Sequence, residues 1–198
     1  NWSALFVDDN SPDQTADVVE EVGRHQPRVK CLLRIGRRGL SSACIEGLLA
    51  TEAPYLAVMD ADLQHDETIL PGMLEELKQD GIEMVVATRY SEGGDMVDWS
   101  YWRRFVSKTA TLLAKMLFAH GPSDPMSGFF MLRRELIEEV GRKLSGQGFK
   151  ILLDFFLSAG RPLVFREVPF SFRSRHAGES KLNARVTWDL IELLAEKT

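Results

Sequence analysis

Strand-like and helix-like stretches alternate strictly through the first 88 residues, and that alternation leaves few architectures open. Apolar runs at residues 4–7, 29–35, 55–59 and 82–88 are separated by amphipathic stretches at 12–25, 40–50 and 68–79. Ser11-Pro12 supplies an N-cap and a first-turn proline for the first helix, and residues 36–39 form a turn before the second. In the helix at 68–79, Ile69, Met73, Leu74 and Leu77 share one face. An order of strand, helix, strand, helix, strand needs crossover connections. It therefore predicts an α/β fold with a mostly parallel central sheet and helices on both faces. At 198 residues and 44% hydrophobic content the chain buries one substantial core, so a single domain is expected.

The rhythm changes after Tyr90. Residues 91–95 read as a polar loop, and 99–118 as a long helix rich in Trp, Phe, Leu and Met. A further strand is expected at 127–132, helices at 133–144 and 149–159, a strand at 163–172, a basic loop at 173–180 and an amphipathic helix at 182–196.

Asp60-Ala61-Asp62-Leu63-Gln64 leaves the end of the third apolar run. Alternate residues of an extended chain face one way, so Asp60, Asp62 and Gln64 can offer oxygens to one hard cation, which would in turn grip a diphosphate. The competing reading is a calcium-binding EF-hand loop counted from Asp60. It fails because His65 stands where the sharp turn wants Gly and Pro71 where the bidentate Glu belongs. Location favours a ligand site, since open α/β sheets bind ligands beyond the carboxyl ends of their strands.

Other constellations lie at the same edge. Asp8-Asp9-Asn10-Ser11 ends the first strand, where its carboxylates could bond a nucleobase or ribose, or merely flank a helix cap. Residues 37–41 (Arg-Arg-Gly-Leu-Ser) precede a helix N-terminus and could touch a phosphate, or form only a turn. Arg89 follows the fourth strand. Arg103, Arg104 and Ser107 could hold a phosphate between adjacent helix faces, though a solvated face would use the same residues. Residues 124–129 (Asp-Pro-Met-Ser-Gly-Phe) set Asp124 and Ser127 before a Gly that permits close approach of a ligand. In residues 173–181, two arginines, Ser180 and Lys181 on a Gly-containing loop suit a multiply charged phosphate, whereas His176 is assigned no role.

Composition sets the limits. A net charge of −5 argues against nucleic-acid binding by bulk electrostatics, although residues 161–185 carry six Lys/Arg against two Glu. Cys31 and Cys44 sit in apolar stretches without Cys-x-x-Cys spacing, as buried free thiols of a reducing, cytosolic compartment do. No run of 18 apolar residues predicts a membrane span, and the start lacks a signal-peptide layout.

Taken together, residues 7–13 (Val-Asp-Asp-Asn-Ser-Pro-Asp), 59–65 (Met-Asp-Ala-Asp-Leu-Gln-His), 124–129 and 175–181 (Arg-His-Ala-Gly-Glu-Ser-Lys) resemble the dolichyl-phosphate (polyprenyl-phosphate) mannose synthase group of family 2 glycosyltransferases. The blocks occur in that group's order and span nearly the whole chain. The resemblance implies a GT-A (Rossmann-like) fold, and a catalytic domain that transfers mannose from GDP-mannose to dolichyl or polyprenyl phosphate, with inversion. It also implies Mg²⁺ or Mn²⁺ as cofactor and work at the cytosolic face of a membrane. Matched by position, Asp60, Asp62 and Gln64 are the metal and diphosphate site, with Ala61 beside them against the donor, and Asp8 or Asp9 contacts the nucleoside. Arg89, Arg175 and Lys181 bind phosphate, so that Asp62, Arg89, Arg175 and Lys181 carry the catalytic work. Two departures stand out: Gln14 replaces the group's usual Gly, and the group's opening strand and loop are missing from 1–198. The alternatives are a family 2 transferase using another sugar nucleotide, such as UDP-glucose, or another acceptor, and a non-catalytic sugar-nucleotide binding protein.

Overall fold

The computed structural model describes residues 2–89, 121–171 and 173. Strand β1 (Ala4–Asp8) pairs in parallel with β2 (Val29–Leu33), with α1 (Thr15–His25) as the crossover between them. Helix α2 (Leu40–Leu49) then leads to β3 (Tyr55–Val58), and a short 3₁₀ turn (Glu67–Ile69) opens α3 (Leu70–Lys78) before β4 (Met84–Thr88). After residue 121 come β5 (Phe130–Arg133), α4 (Arg134–Val140), α5 (Ile151–Ser158) and β6 (Phe165–Pro169).

The second sheet runs β3-β5-β4-β6. Strand β5 is antiparallel to both β3 and β4, and β6 is parallel to β4, so three of its four strands run one way. The expected α/β class and mostly parallel directions are therefore present, with β5 as the reversed strand.

Alternation along β4 explains why helices cover both faces. Met84 and Val86 join Phe130 and Leu132 of β5 in one cluster, roofed by Leu48 of α2, Leu136 and Ile137 of α4 and Phe155 of α5. Val85 and Ala87 point the other way, to Met131 and to Met73 and Leu77 of α3. All five residues of β4 are buried, as a strand with neighbours on both sides and cover on both faces must be. Helix α2 reaches the first sheet as well. A Cβ on Gly47 would come within 2.8 Å of Val7 Cγ2, so the absence of a side chain there sets how closely α2 lies on β1.

Element ends differ from expectation in instructive ways. The first helix begins at Thr15 rather than residue 12, because Asp8 takes both the amide and the hydroxyl of Ser11 (2.9 and 2.6 Å) and Gln14 adopts φ +64°. A left-handed residue ends any helix built backwards from Thr15. The strand expected at 127–132 begins only at Phe130, since Ser127 closes a turn, its amide donating to the Asp124 carbonyl at 3.1 Å. The helices expected at 99–118 and 182–196, and most of the basic loop at 173–180, lie outside the described residues. Among the described residues no helix is long and apolar enough to cross a membrane.

Candidate active site

Four chain segments converge beyond the carboxyl ends of β3 and β4, and the reversed strand β5 is the reason. Because β5 runs against its neighbours, the segment before it, residues 124–129, is delivered to the edge where β3 releases Asp60 and β4 releases Arg89. Phe130 pairs with Val58, and the Phe129 carbonyl accepts from the Ala87 amide at 2.9 Å. Gly128 then meets Asp60: a Cβ at Gly128 would lie 3.2 and 3.4 Å from its two carboxylate oxygens. Any larger residue would push against the carboxylate.

The acidic loop is held from inside by His65, which the sequence reading passed over except as a misfit in an EF-hand. Its ring is 5% exposed, stacks on Phe129 with centroids 5.1 Å apart and meets Phe170 edge-on at 5.5 Å. Its Nδ1 accepts the amide of Asp60 at 3.1 Å. Burial pushes the imidazole pKa down to about 4 and the Arg89 charge adds to this, while Asp62 and Asp124 pull the other way. His65 is thus a neutral acceptor at ordinary pH. Within the loop, Asp62 Oδ1 accepts the Gln64 amide at 3.1 Å, and Leu63 holds φ +64° with its side chain 65% exposed. Ala61 is exposed and Asp60 and Asp62 are half-buried. Among the described residues no set of three or more His, Cys, Asp or Glu gathers around a metal position, so a cation here would rest on the Asp60 and Asp62 pair with Gln64. The Gln64 amide nitrogen donates to the Arg173 carbonyl at 3.1 Å, while the Arg173 amide donates to the Gln64 carbonyl at 2.9 Å. Read from sequence as a phosphate ligand, Arg173 instead pairs with Asp66 and Glu67, each at 2.7 Å.

Arg89 and Asp124 form a bidentate pair, Nε to Oδ2 at 2.7 Å and Nη2 to Oδ1 at 3.0 Å, with Asp124 1% and Arg89 16% exposed. Asp124 therefore fixes Arg89. The Ser127 hydroxyl is spent on the backbone, donating to the Ala87 carbonyl at 2.7 Å inside the core, which makes it a clamp of the turn. Arg103, Ser107, Arg175, Ser180 and Lys181 lie outside the described residues.

The second half of the site is at the ends of β1 and β2. Asp8 is buried against Ser11. Asp9 Oδ2 accepts the Gly39 amide at 2.8 Å, and Arg34, fully buried and absent from the sequence reading, lies beside it. Arg37 donates to Glu46 at 2.9 Å. Cys44 on α2 lies between the two halves: burial and the Asp60 charge push its thiol up to about 12, with Arg34 opposing. A charged residue between Leu33 and Ile35, at the end of the otherwise largely apolar run 29–35, was the available signal for Arg34. For His65 it was an aromatic donor-acceptor three residues after the second of two carboxylates.

Comparison with known proteins gives the arrangement a family. The chain is 36% identical over 193 residues to a dolichol-phosphate mannosyltransferase of Pyrococcus furiosus, covering 96% of this chain and 53% of that protein. Its identity to proteins of the same name is 38% in Saccharomyces cerevisiae (97% and 73% covered) and 37% in Mycosarcoma maydis (99% and 66%). The chain thus spans about half to three quarters of the length of these relatives. Among solved structures, a glucosyl-3-phosphoglycerate synthase from Mycobacterium tuberculosis in complex with Mn²⁺, UDP-glucose and phosphoglyceric acid superposes with TM-score 0.69 at 18% identity, covering 98% of this chain and 67% of that one. That likeness is one of fold, the GT-A fold. The model of the glycosyl transferase family 2 domain matches residues 1–141. This chain belongs to glycosyl transferase family 2.

Proposed function

We propose that this chain is the catalytic domain of a polyprenyl-phosphate mannosyltransferase, moving mannose from GDP-mannose to dolichyl or a related polyprenyl phosphate with inversion at the anomeric carbon. The observation that carries the reading is the meeting of Asp60, Gly128 and the Arg89–Asp124 pair at one sheet edge, in a chain 36–38% identical along nearly its whole length to three proteins named for that activity.

A divalent cation, Mg²⁺ or Mn²⁺, fits the donors present. Asp60 and Asp62 supply hard oxygens, Gln64 an amide oxygen, and Nδ1 of His65, the imidazole beside them among the described residues, already accepts a backbone amide. Bound there, it would act as a Lewis acid toward the departing diphosphate. The protein's own part is positioning. Gly128 keeps the space beside Asp60 open, His65 fixes the start of the acidic loop, and Asp124 aims the Arg89 guanidinium at the edge where the diphosphate would lie. Of Asp8 and Asp9, Asp9 would serve the nucleoside, since both oxygens of Asp8 are taken by Ser11.

The acceptor needs no general base. A phosphate monoester has its second pKa near 6, so at pH 7 it is mostly a dianion and already a nucleophile. It needs charge compensation and alignment for back-side attack, a role for Arg175, Ser180 and Lys181, which follow in the sequence after Arg173, itself tied to Gln64. Asp124 is occupied by Arg89 and acts by orientation. The prenyl tail stays in lipid, so the reaction belongs at the cytosolic surface of a membrane. The apolar and basic residues of 99–108, Trp99, Trp102, Arg103 and Arg104 among them, have the composition of an interfacial contact.

The test is transfer by the full-length protein from labelled GDP-mannose to a short polyprenyl phosphate in detergent. Labelled lipid with GDP-mannose, competed by GDP more strongly than by UDP, supports the reading. Label from UDP-glucose alone would assign a different donor, and nucleotide binding without any transfer would make the domain a binding module.

A further inference from the structure

We propose that Arg34 is a positioning residue for the nucleoside end of the site: its buried guanidinium fixes Asp9 and the Gly39 turn, and so sets affinity for a nucleoside diphosphate rather than the rate of transfer. The inference rests on the transferase reading above and adds a residue that does not itself reach the ligand.

Arg34 follows directly on β2 and is 1% exposed, the largest of the fully buried side chains among the described residues. Its backbone amide donates to the Asp8 carbonyl at 2.8 Å, continuing the β1–β2 ladder one step to the strands' ends. The side chain then turns back under the loop that follows it. Nη2 donates to Ser42 Oγ at 2.8 Å and Nη1 to the Gly39 carbonyl at 3.4 Å, while Nε lies 3.3 Å from Asp9 Oδ1 and 3.5 Å from Glu46 Oε1. Gly39 closes the ring. Its carbonyl faces Arg34, its amide donates to Asp9 Oδ2 at 2.8 Å, and its φ of +141° is one a side chain rarely tolerates.

Asp9 is therefore gripped from behind at both oxygens while its side chain stays 27% exposed in front. The grip is of an unusual kind. Asp9 Oδ1 and Arg34 Nε are both enclosed, and neither meets hydrogen-bond geometry with any partner, so charge attraction alone joins them. Burying ions on such terms is costly, and replacing both members of the pair by apolar side chains of similar volume would commonly be at least as good for stability. What an apolar side chain could not do is hold a carboxylate, a hydroxyl and a backbone carbonyl at once in fixed relative directions, which the planar fork of arginine does. A rigid second layer of this type is what a binding carboxylate needs to stay aligned.

The experiment is calorimetric titration of GDP with Mn²⁺ into the full-length protein, wild type beside Arg34→Met, Arg34→Lys and Ser42→Ala, with steady-state kinetics in GDP-mannose. Arg34→Met should weaken GDP at least tenfold and raise KM for the donor by a similar factor, with kcat within threefold and the acceptor KM unchanged. Arg34→Lys, which restores the charge without the fork, should recover part of the affinity. Should Arg34→Met fail to fold by circular dichroism, Ser42→Ala decides. It removes the Nη2 bond together with the hydroxyl's own bond to the Gly39 carbonyl at 3.0 Å, leaves the cation, and a roughly threefold or greater loss of GDP affinity is expected. Wild-type GDP affinity in folded Arg34→Met, or in Ser42→Ala if that variant decides, would overturn the proposal, as would a loss confined to kcat. Wild-type protein that binds no nucleotide would overturn the transferase reading itself, and this inference with it.

Discussion

The amide of Asp60 donates to Nδ1 of His65 across 3.1 Å, so the neutral ring that pins the acidic loop carries its proton on Nε2. Protonating Nδ1 would remove the acceptor. Inside the fold that happens only near pH 4, against an ordinary value of 6.5. Between those values the unfolded chain binds the extra proton and the folded one does not, so stability rises with pH across the window and is fully present above 6.5. Falling pH removes it, by about 3 kcal/mol in all from this group. Urea unfolding in chelator at pH 4 to 7 checks the sign. His65→Phe, which keeps a ring in the stack and cannot titrate, should show a flatter pH dependence by about that amount; parallel curves for the two proteins would contradict the assignment.

Arg89 and Asp124 should be strongly coupled. Removing one partner leaves a charge enclosed without its counter-ion, and Asp124→Leu or Arg89→Met alone is expected to cost about 3 to 5 kcal/mol. The double substitution removes both charges and should be less damaging than the sum of the two by at least about 1 kcal/mol. Denaturant unfolding of the four proteins gives the coupling, and additive losses would show that the pair does not act as a unit.

Gln14 sits at φ +64°, a left-handed position that costs a residue with a Cβ about 1 kcal/mol or more. Gln14→Gly should therefore stabilise the protein by about 0.5 to 1 kcal/mol after the greater freedom of Gly in the unfolded chain is counted. A lowered denaturation midpoint would mean that the Gln14 side chain makes up the strain elsewhere.

The same residue shows what sequence could and could not deliver. That a Gly is usual at position 14 in the related group was visible beforehand, but the reason, a left-handed turn between the Asp8–Ser11 bonds and Thr15, is a property of backbone geometry. Strand and helix order was legible because apolar period changes mark it, and buried β4 read as a continuous apolar run. The placement of Asp60 and Arg89 at one edge followed from the rule that parallel strands end together. The reversal of β5 did not follow, because no pattern within Phe130–Arg133 encodes the direction in which the strand runs. Residue roles were harder. Ser127 and Arg173 have the types of ligand contacts, yet their hydroxyl and guanidinium are used on backbone and on Asp66 and Glu67. His65 and Arg34 act from beneath the surface, where their meaning depends on neighbours far away in the sequence.

The most direct test of the account is mannosyl transfer by Asp62→Ala beside the wild type, each with and without chelator. If the oxygens of Asp60, Asp62 and Gln64 hold the cation that supports diphosphate departure, the substitution should lower transfer at least about a hundredfold, equivalent to about 2.7 kcal/mol of transition-state stabilisation, and chelator should do the same to the wild type. Undiminished transfer by folded Asp62→Ala, or by the wild type in chelator, would contradict it.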